Sequence, residues 1–67
     1  MEPRQEAYAN ELVRDKASFL KKGSTDGKIF KITREVSDIL VKADIVLDED
    51  TPIRIYKALI KYRDNLK

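Results

Sequence analysis

Cysteine, histidine and tryptophan, which build many small functional sites, are all missing from this chain of 67 residues. Without cysteine there is no disulfide and no thiolate metal site. Without histidine the usual zinc ligand sets and a Ser-His nucleophile pair cannot be assembled. A chain of this length has room for one small core rather than for a catalytic cleft that excludes water. We therefore expect no metal ion, no cofactor and no enzymatic activity.

Long hydrophobic runs are missing too. No apolar run exceeds three residues, as at 39–41 and 45–47, which is far short of the roughly 20 residues of a membrane span. The polar start, Met1-Glu2-Pro3-Arg4, predicts no signal peptide. An apolar fraction of 42% beside a charged fraction of 39% indicates a folded chain rather than a disordered one. We expect one cytoplasmic domain over residues 1–67 with no membrane partner.

The net charge of +2 hides a strongly patterned chain. Residues 16–34 hold six cations against one acid, and residues 52–67 hold five cations against one acid. Between them, residues 35–51 hold six acids against one lysine. Basic blocks of this strength favour phosphate or an acidic partner. The alternative is that the charges are solvated helix faces, with the cations near helix C-termini.

Helical signals are clear at both ends of the chain. Residues 3–22 are predicted as a helix because Pro3 suits a first turn, apolar residues recur at helical spacing, and Gly23 is a stop signal. A last helix is predicted over residues 52–65. Its apolar residues cover more than half of its circumference: Ile53, Ile55, Tyr56, Leu59, Ile60 and Tyr62. That excess predicts a second contact surface on this helix, which a homodimer interface would supply.

The middle of the chain is ambiguous. Read as one helix, its apolar residues form a stripe spaced by three and four from Ile29 to Leu47. Read otherwise, residues 28–33 form a short strand and Thr33 caps a helix over residues 34–47. The β-branched and aromatic composition of residues 28–33 favours the strand. Periodicity cannot separate the two interpretations across six residues, and both stay open.

Residues 33–40, with Lys42 and the downstream segment 55–59, resemble the ribbon-helix-helix repressors over about residues 28–65. The resemblance implies that two chains pair their short strands into an antiparallel ribbon that enters the major groove of DNA. Residues 3–22 would then be an extra N-terminal helix outside the family's pattern.

The resemblance also implies site residues. Ile29, Lys31 and Thr33 would point at base edges, where Lys31 would donate to a guanine and Ile29 would meet a thymine methyl group. The implied phosphate contacts are Lys16, Lys21, Lys22, Lys28, Arg34 and Thr51, the last at the start of the final helix. The implied dimer core is Phe30, Ile32, Val36, Ile55, Tyr56 and Leu59.

Two functional hypotheses follow, both on a mainly α, small three-helix domain. In the first, the chain is a ribbon-helix-helix homodimer that binds double-stranded DNA in a sequence-specific way, as a transcriptional repressor or a phage or plasmid accessory factor. In the second, it is a plain three-helix bundle that binds another protein and has no nucleic-acid role.

Overall fold

Three α-helices and two connectors make up the fold in the computed structural model, which describes residues 2–66 and contains no strand within that range. The helices are α1 (Pro3–Ala17), α2 (Asp26–Lys42) and α3 (Asp50–Asp64), and each contacts both of the others. Arg54 near the start of α3 bonds Glu6 near the start of α1 at 2.7 Å. Arg63 near the end of α3 bonds Asp26 at the start of α2. The helices therefore run up, down and up.

Of the two interpretations left open for residues 28–33, the strand is wrong and the helix is confirmed, because these residues lie in the first half of α2. The Thr25 side chain caps this helix by accepting a hydrogen bond from the Lys28 backbone N–H at 3.2 Å. Ile29 and Ile32 then lie on the buried stripe that continues along α2. Burying a helical stripe outweighs the local β propensity of the segment, since propensity is a weak preference that packing overrides. The ribbon-helix-helix architecture is not supported, and the structure agrees with the plain three-helix alternative.

The helix ends also differ from the predicted bounds. α1 ends at Ala17 rather than at residue 22, and residues 18–25 form a turn-rich connector. α2 ends at Lys42 rather than at residue 47. There the Ile45 N–H donates to the Leu40 carbonyl at 3.1 Å, and the Asp44 N–H donates to the Val41 carbonyl at 3.0 Å. This is a Schellman ending, and it buries Ile45 against the core without a glycine.

The core lies between the three helices and belongs to a single chain. Eleven apolar side chains of residues 2–66 are buried, and Ile29, Val36, Leu40 and Leu59 are enclosed most completely. Of the predicted dimer core, four side chains pack inside the monomer: Ile32, Val36, Ile55 and Leu59. Tyr56 is half-buried and Phe30 is exposed. Four of the six predicted dimer-core positions are therefore part of the core of one chain, whereas Phe30 is not.

Arg63 ties the C-terminal end of the bundle to the first connector. Its guanidinium donates to the Ser24 carbonyl at 3.0 Å and to the carboxylates of Asp26 and Asp64. The hydrogen bond with Asp26 is the largest influence that raises the pKa of Arg63. Because the pKa of Arg63 is raised in the fold, its contribution to stability is present in full below the ordinary pKa of arginine. That contribution is lost as the pH rises through the raised pKa, in strongly alkaline solution.

No helix within residues 2–66 is long and apolar enough to cross a membrane.

Candidate interaction surfaces

The up-down-up fold separates the charges along the molecule. The end where α1 and α3 finish and α2 begins is called here the basic end, and it holds eight cations against four acids. The cations are Arg14, Lys16, Lys21, Lys22, Lys28, Lys31, Lys61 and Arg63. The opposite end holds seven acids against three cations among the described residues. Two basic segments that are far apart in the sequence thus meet, because antiparallel packing returns the chain to the same end.

An apolar groove runs between α2 and α3 on the side away from α1. It has a volume of about 500 Å³, and its apolar lining comes from Phe30, Pro52, Ile53, Tyr56 and Ile60. The Phe30 side chain is 56% exposed and the Ile53 side chain is 52% exposed. This groove, called here the α2/α3 groove, contains apolar residues of the last helix that lie outside the core.

The groove exists because each of its two helices is apolar over more than the face it turns to the core. On α3, Ile55 and Leu59 fill the core, so Ile53, Tyr56 and Ile60 lie further round the helix. On α2, Phe30 follows the buried Ile29 by one residue and so lies about 100° away from it. Scattered exposed apolar residues are ordinary on a protein surface, but several that line one concavity indicate a binding surface.

Two cations border the α2/α3 groove. Lys57 lines it, and Arg34 lies one turn after Phe30 on the outer side of α2. Within residues 2–66 neither side chain forms an ion pair. Both are therefore available to a carboxylate on a bound partner.

A second concavity, of about 680 Å³, lies at the basic end between the end of α1 and the start of α2. Lys16, Lys28 and Lys31 line it together with Phe19, which is 64% exposed. The Lys28 ammonium donates to the Phe19 carbonyl at 3.3 Å and thereby holds the connector against α2. We call this concavity the basic groove.

The predicted DNA-contacting residues do not form one surface. Ile29 is fully buried and Thr33 is buried with its hydroxyl bonded to the Ile29 carbonyl at 2.9 Å, so neither reaches a base edge. Lys31 is exposed, but it lies in the basic groove on the α1 side of α2. The expected alternation of a strand is absent, because successive residues of a helix turn by about 100° instead of facing opposite sides.

The predicted phosphate contacts divide in the same way. Lys16 is half-buried and paired with Glu35 at 3.6 Å, while Lys21, Lys22 and Lys28 are exposed at the basic end. Arg34 lies apart from them, beside the α2/α3 groove. Thr51 is buried, and its hydroxyl accepts the Asp48 backbone N–H at 3.2 Å, so it closes the second connector instead of facing a phosphate.

Phe19 is the surface residue that sequence periodicity places wrongly. Helical spacing assigns it to the apolar face of the first helix, but α1 ends at Ala17 and Phe19 lies in the connector. The signal that could have revealed it is the run of lysines around it, at 16, 21 and 22, which leaves a lone aromatic ring in a polar segment.

Comparison of the chain with protein-family models, with curated proteins and with solved structures gave no match.

Proposed function

We propose that this chain is a protein-interaction module whose α2/α3 groove binds the apolar face of an amphipathic helix flanked by acidic residues. The observation that carries the proposal is the pair of half-exposed side chains, Phe30 and Ile53, on adjacent helices that line one apolar concavity. A helix laid into an apolar groove is a recurring mode of peptide recognition.

The apolar part of this contact supports a modest affinity. Full burial of a Phe or Ile side chain contributes about 1.5 to 3 kcal/mol. Because Phe30 and Ile53 are already half-buried, each has about half of that contribution left to gain on binding. Tyr56 and Ile60 add smaller amounts. A micromolar complex needs about 8 kcal/mol. The apolar side chains of the partner helix must therefore supply most of the binding free energy, beyond the entropic cost of association.

The charges at the groove select among partner helices. Lys57 lines the groove and Arg34 lies one helical turn after Phe30, with no acid paired to either in the described chain. An acidic residue on the partner near each cation contributes up to about 1 kcal/mol at an exposed rim and speeds association. A basic partner helix meets like charge there and is disfavoured.

A second copy of this chain is the competing occupant, as the predicted homodimer requires. It fits the groove less well, because its own α2/α3 face is concave and carries the same two cations. If two copies were related by a twofold axis through this face, the groove of one copy would lie against the groove of the other. The cations of the two copies would then also lie close together and repel each other. An acidic helix from another protein is therefore the occupant we propose.

Selection from a displayed library of helical peptides tests the proposal without assuming a partner sequence. We expect the selected peptides to combine an apolar stripe with Glu or Asp beside it. Titrated into the ¹⁵N-labelled protein, they should shift the amide resonances around Phe30, Ile53 and Tyr56. Peptides without acidic enrichment, or shifts confined to another surface, would overturn the proposal.

Matched variants sharpen this test. Ile53→Ser should weaken the selected peptides about tenfold, whereas Val46→Ser, at an 83% exposed position outside the groove, should leave the affinity unchanged. Lys57→Glu should reverse the preference for acidic over basic flanks, and Lys42→Glu should not. Sedimentation equilibrium distinguishes the competing occupant, since a dimer that Ile53→Ser dissociates would assign the groove to a second copy.

A further inference from the structure

We infer that the basic groove is a separate binding site for single-stranded nucleic acid, in which a base stacks on Phe19 and the phosphates meet the surrounding lysines. The site lies on the α1 side of α2, whereas the α2/α3 groove lies on the other side of the same helix. This inference can therefore be tested independently of the protein-interaction proposal.

The position of Phe19 is the first observation. Phe19 is 64% exposed, although its backbone is held by a hydrogen bond. Its carbonyl accepts a hydrogen bond from the Lys28 ammonium, and the Lys16 ammonium lies over the ring, 6.0 Å from its centroid. Because Phe19 is largely exposed, its ring is accessible to a flat partner. An aromatic ring held in place on a charged surface is the usual platform for an unstacked base.

The second observation is the charge around the ring. Lys16, Lys28 and Lys31 line the groove, and Lys21 lines the adjoining surface with Lys28. Within residues 2–66, Lys21 and Lys31 form no ion pair. Glu35, the acid in the groove lining, is held by Lys16 at 3.6 Å. Cations that surround an aromatic ring can track a phosphate backbone while the base stacks.

The geometry favours a single strand over a duplex. In a duplex the faces of the bases are stacked on each other and cannot reach Phe19, whereas a single strand turns them outward. An anionic membrane fits less well, because membrane-surface binding needs an apolar stripe. Of the large exposed apolar side chains among residues 2–66, Phe19 alone lines this groove.

The chain has no tryptophan, so Phe19→Trp places a unique fluorophore at the site. Titration with oligothymidine should quench its emission, because a stacked base contacts the indole directly. The matched control is Phe30→Trp in the α2/α3 groove, whose emission should not change. Equal quenching at both positions, or none at Phe19→Trp, would overturn the inference.

Affinity measurements separate stacking from charge. By fluorescence anisotropy of labelled oligothymidine, Phe19→Ala should weaken binding about tenfold or more and leave the salt dependence unchanged. Lys31→Gln should weaken binding and reduce the slope of log K against log salt by about 0.7. Lys42→Gln makes the same change of charge at the end opposite the basic end, and it should change neither the affinity nor the salt dependence. Phe19→Leu keeps an apolar side chain at the position, and it should lose affinity as Phe19→Ala does while retaining the native circular dichroism spectrum.

Competing ligands decide the class of polyanion. Duplex DNA of the same length should bind more weakly than the single strand and should not quench Phe19→Trp. Vesicles of phosphatidylcholine and phosphatidylserine should not shift its emission. Tighter binding of the duplex would overturn the single-strand assignment, and a blue shift with vesicles would assign the surface to a membrane. Ile53→Ser, in the α2/α3 groove, should bind oligothymidine with unchanged affinity. The nucleic-acid inference and the protein-interaction proposal can therefore be tested separately.

Discussion

Asp44 shows how one residue can close a helix against its own preference. Its φ of 62° lies in the left-handed region, which is disfavoured for residues other than glycine. Among residues 2–66 it is the one residue with a positive φ. This conformation lets the two Schellman hydrogen bonds form and lets Ile45 turn back onto the core. The strained conformation of Asp44 is maintained because the burial of Ile45 and the hydrogen bonds to the Leu40 and Val41 carbonyls require it.

Asp44→Gly should therefore stabilise the protein by about 0.5 to 1 kcal/mol, since glycine adopts this conformation without the steric cost. The gain should appear as a higher midpoint in urea unfolding. Asp48→Gly removes the same charge from the same connector at a position without positive φ, and it should give no gain. Equal effects of the two changes would attribute the gain to charge instead of backbone conformation.

At the scale of the element, α2 decides the architecture. Residues 28–33, near its start, have the composition of a strand, yet the helix forms because it is both capped and amphipathic. Thr25 satisfies the Lys28 N–H at the N-terminus, and the buried stripe from Ile29 to Leu40 supplies the packing. Caps and packing together overcome an unfavourable local propensity.

Thr25→Ala should cost about 1 kcal/mol of folding free energy, because it leaves the Lys28 N–H without its partner. Thermal unfolding followed by circular dichroism at 222 nm measures the loss. Thr25→Asp keeps a capping oxygen and should retain most of the stability. An unchanged melting temperature in Thr25→Ala would mean that packing alone fixes the start of α2.

For the whole molecule, a small core and a separated charge distribution are the two governing features. Eleven buried apolar side chains hold three helices together in the described chain, so the loss of one large side chain removes a considerable share of the stability. The charges play little part in that core. Their arrangement instead distinguishes the two ends of the molecule, one of which carries the basic groove.

Leu40→Ala should destabilise the protein by about 2 to 5 kcal/mol, because Leu40 is fully buried and its truncation leaves a cavity. A domain of this size has about that much stability in total, so the variant should be substantially unfolded at 25 °C. Far-UV circular dichroism and urea titration show the effect. The adjacent Val41→Ala, at a 57% exposed position, should change stability by less than about 0.5 kcal/mol. Similar losses in both would place the core elsewhere.

From the sequence alone, the helical character of both ends and the apolar excess of the last helix could be predicted. These features follow from local rules: apolar spacing of three and four, and an apolar arc wider than one contact. The glycine rule placed the end of the first helix too late, because α1 ends at Ala17, six residues before Gly23. The blocks of charge were equally visible. The helix bounds were less accurate, since the Schellman ending of α2 uses an aspartate where the rule expects glycine.

The conformation of residues 28–33 depended on tertiary packing, because the sequence of a six-residue segment fits a strand pattern and a helix pattern equally well. Packing against the rest of the chain determines which of the two forms. That choice buries Ile29 and Thr33 and moves Phe30 to the surface. The helical conformation of this segment also forms both grooves, because each groove is lined by residues from two elements. Neither groove has a sequence motif from which it could be predicted. The meeting of the two basic segments at one end likewise follows from antiparallel packing, which brings together charges that lie more than 20 residues apart in the chain.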